Sequence, residues 1–554
     1  MDTHHVTLAV DGMTCDHCAR AVERALTRVP GVEQARVDFP QRRADVSTRG
    51  TEPGALVRAV ESAGYRASVI EPRRSAAAPT PRGSHSAPDR TPDVAVLGGG
   101  SAGFAAAIRA AELGARVALI EGGTLGGTCV NVGCVPSKTL IRAAEVQHRA
   151  AHHPFDGVHT SAQPPDLARM MAQKDALVTA LRQEKYWDVL AAYPTITLRQ
   201  GRGRVNPDLS ITLDDEVLKP GRLIVATGAS PWAPPIAGLA EAGYLTSTDA
   251  LALRTRPESM IVIGGSAVGL EIAQLYARLG TRVTVLEAMP TLVPAEDAEI
   301  GAALAAHLRE EGLRIRTALA VRSVARTSEG YTVEATAAGR AETFTAEQLL
   351  VATGRRANTR GFGLEEAGIE LGPKGEIRVN EYLQTSQPTV YAAGDAIGDP
   401  MFVYVAAYGG HLAADNALSG NARRYDLSAL PRVTFTDPQV ASVGLTDEHA
   451  RQQGIDVMVA TLPLSYVPRA LAARDTRGFI KLVADRQTER LVGAHILAAE
   501  AGEMIEEPTL AIRHGLGIGD LAGAFHPYLT LAEGIKLAAQ TFTRDVKKLS
   551  CCAA

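Results

Sequence analysis

Hydrophobic positions along this chain keep two rhythms. At the front, short apolar runs flank two amphipathic stretches. Val6 to Val10 predicts a strand, roughly Asp16 to Arg28 a helix, Val32 to Phe39 and Arg43 to Thr48 two strands, Pro53 to Ala63 a helix, and Tyr65 to Ile70 a closing strand. That order, βαββαβ, predicts a ferredoxin-like module. Residues 72–92 then carry five prolines and almost no large apolar side chain, which predicts a flexible linker. Fully extended, such a segment reaches roughly 70 Å at ~3.3 Å per residue.

Beyond the linker the pattern changes and repeats. Residues 96–121, VLGGGSAGFAAAIRAAELGARVALIE, align without a gap, at an offset of 166, with residues 262–287, VIGGSAVGLEIAQLYARLGTRVTVLE. Each copy reads as apolar strand, glycine turn, amphipathic helix, apolar strand and acid. The fold class expected is therefore α/β, with two nested Rossmann-like dinucleotide-binding domains. The chain returns to the first of them near residue 351, where Tyr391-Ala392-Ala393-Gly394-Asp395 follows a strand-rich stretch, and a mixed segment runs from Pro431 to the end.

The length of 554 residues exceeds what one core serves, which agrees with several domains. A formal charge of -4 carries no basic excess of the kind that binds nucleic acid. The start has no basic segment followed by an apolar one, and no apolar run is long enough to span a bilayer, so no membrane insertion and a cytoplasmic location are expected. The six cysteines fall into three pairs, Cys15/Cys18, Cys129/Cys134 and Cys551/Cys552. In a reducing compartment paired thiols point to redox chemistry or metal binding.

In the first repeat Gly98 permits the tight turn, Gly100 lets backbone approach a pyrophosphate, and Gly103 lets the helix pack on its strand, while Glu121 stands where a carboxylate holds ribose hydroxyls. The second repeat keeps Gly264 and Gly269, has Ser266 at the middle position, and ends on Glu287. A carboxylate there accepts from a 2′-hydroxyl and repels a 2′-phosphate, which favours NADH over NADPH, although Arg282 lies close in sequence. Cys129 and Cys134 sit in GGTCVNVGCVPSK, with Lys138 at its end; a helix N-terminus and a lysine lower a thiol pKa. Inert packed cysteines are the bland alternative, and zinc lacks a completing set of ligands nearby. Cys15 and Cys18, in GMTCDHC, place two thiols where they converge on a soft cation, with a redox pair as the other reading. Cys551 and Cys552 lie on a tail with few apolar anchors, and a frayed terminus is its bland reading.

From about Asp93 onward the chain resembles the pyridine nucleotide-disulphide oxidoreductases, whose redox signature matches GGTCVNVGCVPSK. The GMTCDHC module and the terminal Cys551-Cys552 narrow the likeness to members that reduce mercuric ion. The resemblance implies a heavy-metal-associated domain at 1–71, the linker at 72–92, an FAD-binding domain at 93–232 and 351–430, an NAD(P)-binding domain at 233–350, and a C-terminal α+β dimerisation domain with a dithiol tail at 431–554. It implies FAD on Gly98, Gly100, Gly103, Glu121, Thr128, Lys138, Gly228, Gly394 and Asp395, and a nicotinamide cofactor, NADPH in most relatives, on Gly264, Gly269 and Glu287. Cys134 is then the thiol nearest the flavin, Cys129 its outer partner, and Lys138 pairs with Glu271.

Further implications are a homodimer with shared active sites and Hg(II), as a thiol complex, for substrate. Cys551 and Cys552 of one subunit hand the metal to Cys129 and Cys134 of the other, with Cys15 and Cys18 as an outlying metal site. Tyr186 and Tyr528 match tyrosines that flank the metal. Disulphide reductases of the family carry an acid–base histidine five residues before a glutamate; counted back from Glu533 that position is Tyr528, with His526 two residues upstream. Metal reduction needs no base for a leaving thiol, which leaves His526 either a relic or a proton donor. Two other functions stay open on sequence, a disulphide reductase of lipoamide or glutathione type and a metal-binding, chaperone-like protein.

Overall fold

The computed structural model describes residues 4–11, 22–23, 25–38, 43–62, 65–70 and 91–548. The chain divides after Asp89 into two units. In the first, β1 (His4–Asp11), β2 (Val32–Asp38), β3 (Arg43–Thr48) and β4 (Arg66–Ile70) form one antiparallel sheet in the order β2-β3-β1-β4. Ala44 and Val46 are buried with an exposed residue between them, the period-two pattern of a sheet covered on one face. Helix α1 (Pro53–Ser62) buries Leu56 and Val60 in the same core as Leu8, Val22 and Leu26. Cys15, Cys18 and most of the expected first helix lie outside the described residues.

In the second unit, β5 (Val94–Leu97) runs into helix α2 (Ser101–Glu112), then β6 (Val117–Glu121). Two helices follow, α3 (Gly127–Val132) and α4 (Cys134–Ala151), then α5 (Leu167–Arg182), β7 (Ile196–Gln200) and β8 (Arg222–Val225). The repeat is β9 (Ser259–Ile263), α6 (Ala267–Arg278) and β10 (Arg282–Leu286), completed by β11 (Arg314–Arg316) and β12 (Gln348–Val351) in a parallel sheet of order β11-β10-β9-β12. Strand β13 (Val390–Ala392) then pairs with β8 and closes the first sheet, β13-β8-β5-β6-β7, all parallel. One sheet therefore interrupts the other in sequence.

The two copies share the contacts that require glycine. A Cβ on Gly98 would collide with the carbonyl oxygen of Ala226 after β8, and one on Gly264 with that of Ala352 after β12. Gly103 and Gly269 are pressed in the same way on the carbonyls of Gly98 and Gly264. Each glycine turn thus lies at the carboxyl end of its sheet, between the first strand and the strand that follows on the other side. That crevice is where open α/β sheets bind ligands.

The C-terminal segment forms an antiparallel sheet, β14 (Arg432–Thr434), β15 (Gln439–Gly444), β16 (Val457–Pro463), β17 (Phe479–Asp485) and β18 (Leu491–Ala498), in the order β14-β15-β18-β17-β16. It is fixed to the second nucleotide unit through the buried ammonium of Lys481, which lies 2.8 Å from Asp297, 2.7 Å from Glu299 and 2.9 Å from Asp447. A cation taken out of water is tolerable only with such partners, so losing any one of them would strand a buried charge. Among the described residues no helix is long and apolar enough to cross a membrane.

Candidate active site

Around the first glycine turn lies a cleft of about 640 Å³, a size common for small-molecule sites. Gly98, Gly100, Glu121, Thr128, Cys129, Cys134, Lys138, Gly228, Glu271 and Asp395 all line it, although they span three hundred residues of sequence. Gly103 and Gly394 do not reach its wall: the first packs α2 on its strand, and a Cβ on the second would lie 2.8 Å from the Ala102 methyl. Gly264, Gly269 and Glu287 belong to the second nucleotide unit and do not line this cleft, although Glu271 of the same unit does.

Helix α2 begins at Ser101 with Gly100 as its cap and no side chain capping it, so its first amides face the cleft without a side-chain partner. Such an end attracts phosphate. The Glu121 carboxylate accepts from the amides of Gly99 and Gly123, both at 2.6 Å, which aims it along the glycine turn. Glu287 repeats this with Gly265 at 2.6 Å and Met289 at 2.7 Å. On the far wall Gly228 has φ +73 with open space where a Cβ would stand, and burial raises the Asp395 carboxyl pKa while Arg355, 3.9 Å away, opposes the rise. Uncapped helix, glycine-lined crevice and acid at the ribose position together fit a dinucleotide-type flavin.

The thiol segment is not one helix start but two. Cys129 lies within the short α3, Gly133 breaks the helix at φ -125 and ψ -111, and Cys134 opens α4. Gly127 is needed because a Cβ there would come within 2.7 Å of the Gly100 Cα, so α3 rests directly on the phosphate turn. Both cysteines are free and half-buried. The Cys134 thiol is lowered to about 7, first by the hydrogen bond it accepts from Cys129 and then by the charge of Lys138, against the opposing effect of burial. Cys129 moves the other way, because it gives that hydrogen bond and is itself buried. The pair is thus polarised, with Cys134 the more acidic thiol and Cys129 the less.

This has a measurable consequence. In the reduced protein the rate of Cys134 alkylation by iodoacetamide should rise with pH through about 7 and level off above, since a lowered pKa favours the anion. A midpoint at the ordinary thiol value of about 8.5 would contradict the polarised pair.

Lys138 stands one helical turn after Cys134, and its ammonium lies 2.6 Å from Glu271 on α6. Tyr186 lies in a π-helical turn, Gln183–Trp187, which continues α5. Its ring packs on Phe104 with centroids 4.7 Å apart, and burial raises its hydroxyl pKa. Tyr528 is more than half exposed and does not line the cleft of its own subunit. His526 is committed locally, with Nε2 2.9 Å and 3.0 Å from the two Glu507 carboxylate oxygens and Nδ1 3.2 Å from the Ala524 carbonyl oxygen. Cys551 and Cys552 lie outside the described residues.

Sequence reasoning missed three residues here. Arg355 enters the cleft from the segment after β12, bonded to the Ala229 carbonyl oxygen, with burial lowering its pKa. Ser101, the first residue of α2, lines the cleft. Asn131 donates to the carbonyls of Leu125 (3.0 Å) and Gly127 (2.8 Å) and accepts from Arg182 at 3.2 Å, tying the thiol loop to the helix that leads into Tyr186. Asn131, between the cysteines in sequence, was the one open to suspicion.

Residues 92–410 match the family model described as pyridine nucleotide-disulphide oxidoreductase, 430–539 match the dimerisation domain of that family, and 7–66 match a heavy-metal-associated domain. The chain belongs to the pyridine nucleotide-disulphide oxidoreductases. This oxidoreductase is 42% identical over 553 residues to a mercuric reductase of Staphylococcus aureus, covering 100% of both chains. It is 46% identical over 554 residues to a mercuric reductase of Acidithiobacillus ferrooxidans, with 99% of this chain and 98% of that one covered. Among solved structures it is similar to the Cu(II) complex of the HOCl-induced flavoprotein disulfide reductase RclA of Escherichia coli, at TM-score 0.73 and 30% identity, over 81% of this chain and 99% of that one.

Proposed function

We propose that this oxidoreductase reduces Hg(II) to Hg(0), using a reduced pyridine nucleotide and FAD, and so detoxifies mercury. The observation that carries the reading is the polarised Cys129–Cys134 pair on the wall of the same cleft as the phosphate turn, in a chain that aligns end to end with mercuric reductases. We assign residues 1–71 to the metal-binding module, 72–92 to the linker, 93–232 and 351–430 to the FAD domain, 233–350 to the nicotinamide domain and 431–554 to dimerisation. Electron transfer from the nicotinamide to the substrate is the chemistry FAD supplies when bound.

The residues do the rest. Gly98, Gly100 and the start of α2 hold the pyrophosphate, and Glu121 the ribose. Cys134, as thiolate, takes the soft cation first; Cys129 then gives up its proton and completes a two-sulfur site. Hg(II) gains the two electrons that the reduced nucleotide gives up and leaves as Hg(0), and Cys129 regains a proton from water, so both sulfurs end as they began. Lys138, held by Glu271, keeps positive charge beside the thiolate, and Tyr186, packed on Phe104 behind the cleft lining, flanks the pair. In a homodimer, Tyr528 and the Cys551–Cys552 tail serve the partner's cleft. Thiolates bind Hg(II) too tightly for quick dissociation, so replacement of one thiolate by the next, from Cys15/Cys18 and the tail inward, keeps the metal coordinated throughout. Tethering through the linker raises the concentration of the front module near the tail. A cytoplasmic location suits reduced thiols, and Glu287 favours NADH.

The test uses the purified FAD-loaded dimer. NADH should be oxidised only on addition of mercuric salt, with mercury swept from solution into a permanganate trap. Oxidation with nothing trapped points to a disulphide reductase, and metal binding without oxidation to a chaperone-like protein. Unchanged turnover of a bulky mercury–thiol complex after Cys551→Ala and Cys552→Ala would argue against the relay.

A further inference from the structure

We infer that Phe435 is a positioning residue for the reductive step, gripping Lys138 with its ring and Glu271 with its backbone amide. The Lys138 ammonium lies 4.5 Å from the centre of the Phe435 ring. Glu271 accepts the Lys138 ammonium on Oε2 at 2.6 Å and the Phe435 amide on Oε1 at 3.0 Å. One residue of the C-terminal segment therefore touches both members of the ion pair. A lysine has a long, flexible stem, and a single carboxylate leaves it several rotamers; a π face on the other side removes them.

Phe435 cannot drift, because the segment that carries it is laid along α6. Gln274 donates to the Asp437 carbonyl oxygen and accepts the Asp437 amide, both at 2.8 Å, and Arg278 reaches the Asp437 carboxylate at 2.9 Å. Glu271, Gln274 and Arg278 are three and four residues apart, so they form one stripe of the helix. The stripe holds positions 435 and 437, and its first member, Glu271, also takes the lysine one turn from Cys134. The arrangement joins α4, α6 and the entry to the C-terminal sheet at a single side chain.

The inference rests on the proposed role of Lys138 at the reacting centre, and the experiment separates the two. In the FAD-loaded dimer, without mercury and without oxygen, flavin bleaching by NADH is followed by stopped flow. Phe435→Leu, and a ring-fluorinated phenylalanine at position 435 that keeps the shape but weakens the π face, should each slow bleaching about tenfold. The KM for NADH and FAD content should stay as in the parent, and Phe435→Tyr should restore the rate. Parent-like bleaching with the fluorinated ring, beside a slow Lys138→Met protein, overturns the role of Phe435 and leaves that of Lys138. A Lys138→Met protein as fast as the parent overturns both.

Discussion

A Cys134→Ala protein retains FAD and loses mercury-dependent NADH oxidation by a factor on the order of 10⁶, the scale seen when an essential nucleophile is removed. The structure separates these two effects. The cleft is walled by the glycine turn, Glu121 and the far side around Gly228, whereas the thiol pair contributes one face only. Cys134 opens α4 and its side chain holds up no core cluster, so alanine leaves the helix in place. What disappears is the anion that captures the soft cation and the acceptor that polarises Cys129. FAD absorbance after gel filtration and a turnover assay on the same sample check both halves. An apoprotein would show that Cys134 is structural.

A second large effect concerns the electron donor. The enzyme should favour NADH by kcat/KM, and Glu287→Gln should move the NADPH-to-NADH ratio roughly thirtyfold towards NADPH, as expected for relief of about 2 kcal/mol of like-charge repulsion at a partly buried site. Glu287 is 8% exposed, ends the β10 unit, and is fixed by the amides of Gly265 and Met289. Ala288, Met289, Pro290 and Thr291 follow it and carry no cation. Arg282 opens β10 and so stands five residues away, roughly 16 Å along the strand. Arg316 stands beside Glu287, its carbonyl oxygen accepting the Glu287 amide at 2.8 Å, but its guanidinium is spent on Glu342. Glutamine keeps a hydrogen-bond acceptor while losing the charge. Steady-state kinetics with each nucleotide measure the ratio. Equal preference for both in the parent would refute the assignment to Glu287.

Local patterns carried far in this chain because nucleotide turns are local objects. The strand, glycines, helix and acid of residues 96–121 sit within one supersecondary unit, and the structure reproduces its contacts in residues 262–287. The front module was legible for the same reason, since alternation along β1 and β3 already says which face is covered. The two-helix form of the thiol segment was not legible, because the break at Gly133 depends on how α3 seats on the Gly100 turn. The π-helical turn at Tyr186 was equally hidden: its packing on Phe104 lies across eighty residues of sequence.

From sequence alone came the paired thiols, the two nucleotide turns, the acids that close them and the nesting of one sheet inside the other, all written in spacing and residue type. Only the tertiary structure decided which thiol is the more acidic, that Arg355 and Asp395 stand side by side on the cleft wall, and that Phe435 meets Lys138 and Glu271. The physical reason is range. Backbone preference and periodicity act over a few residues, whereas a pKa, a cleft wall or a cation over a ring is set by whatever distant segment packing brings within a few ångströms.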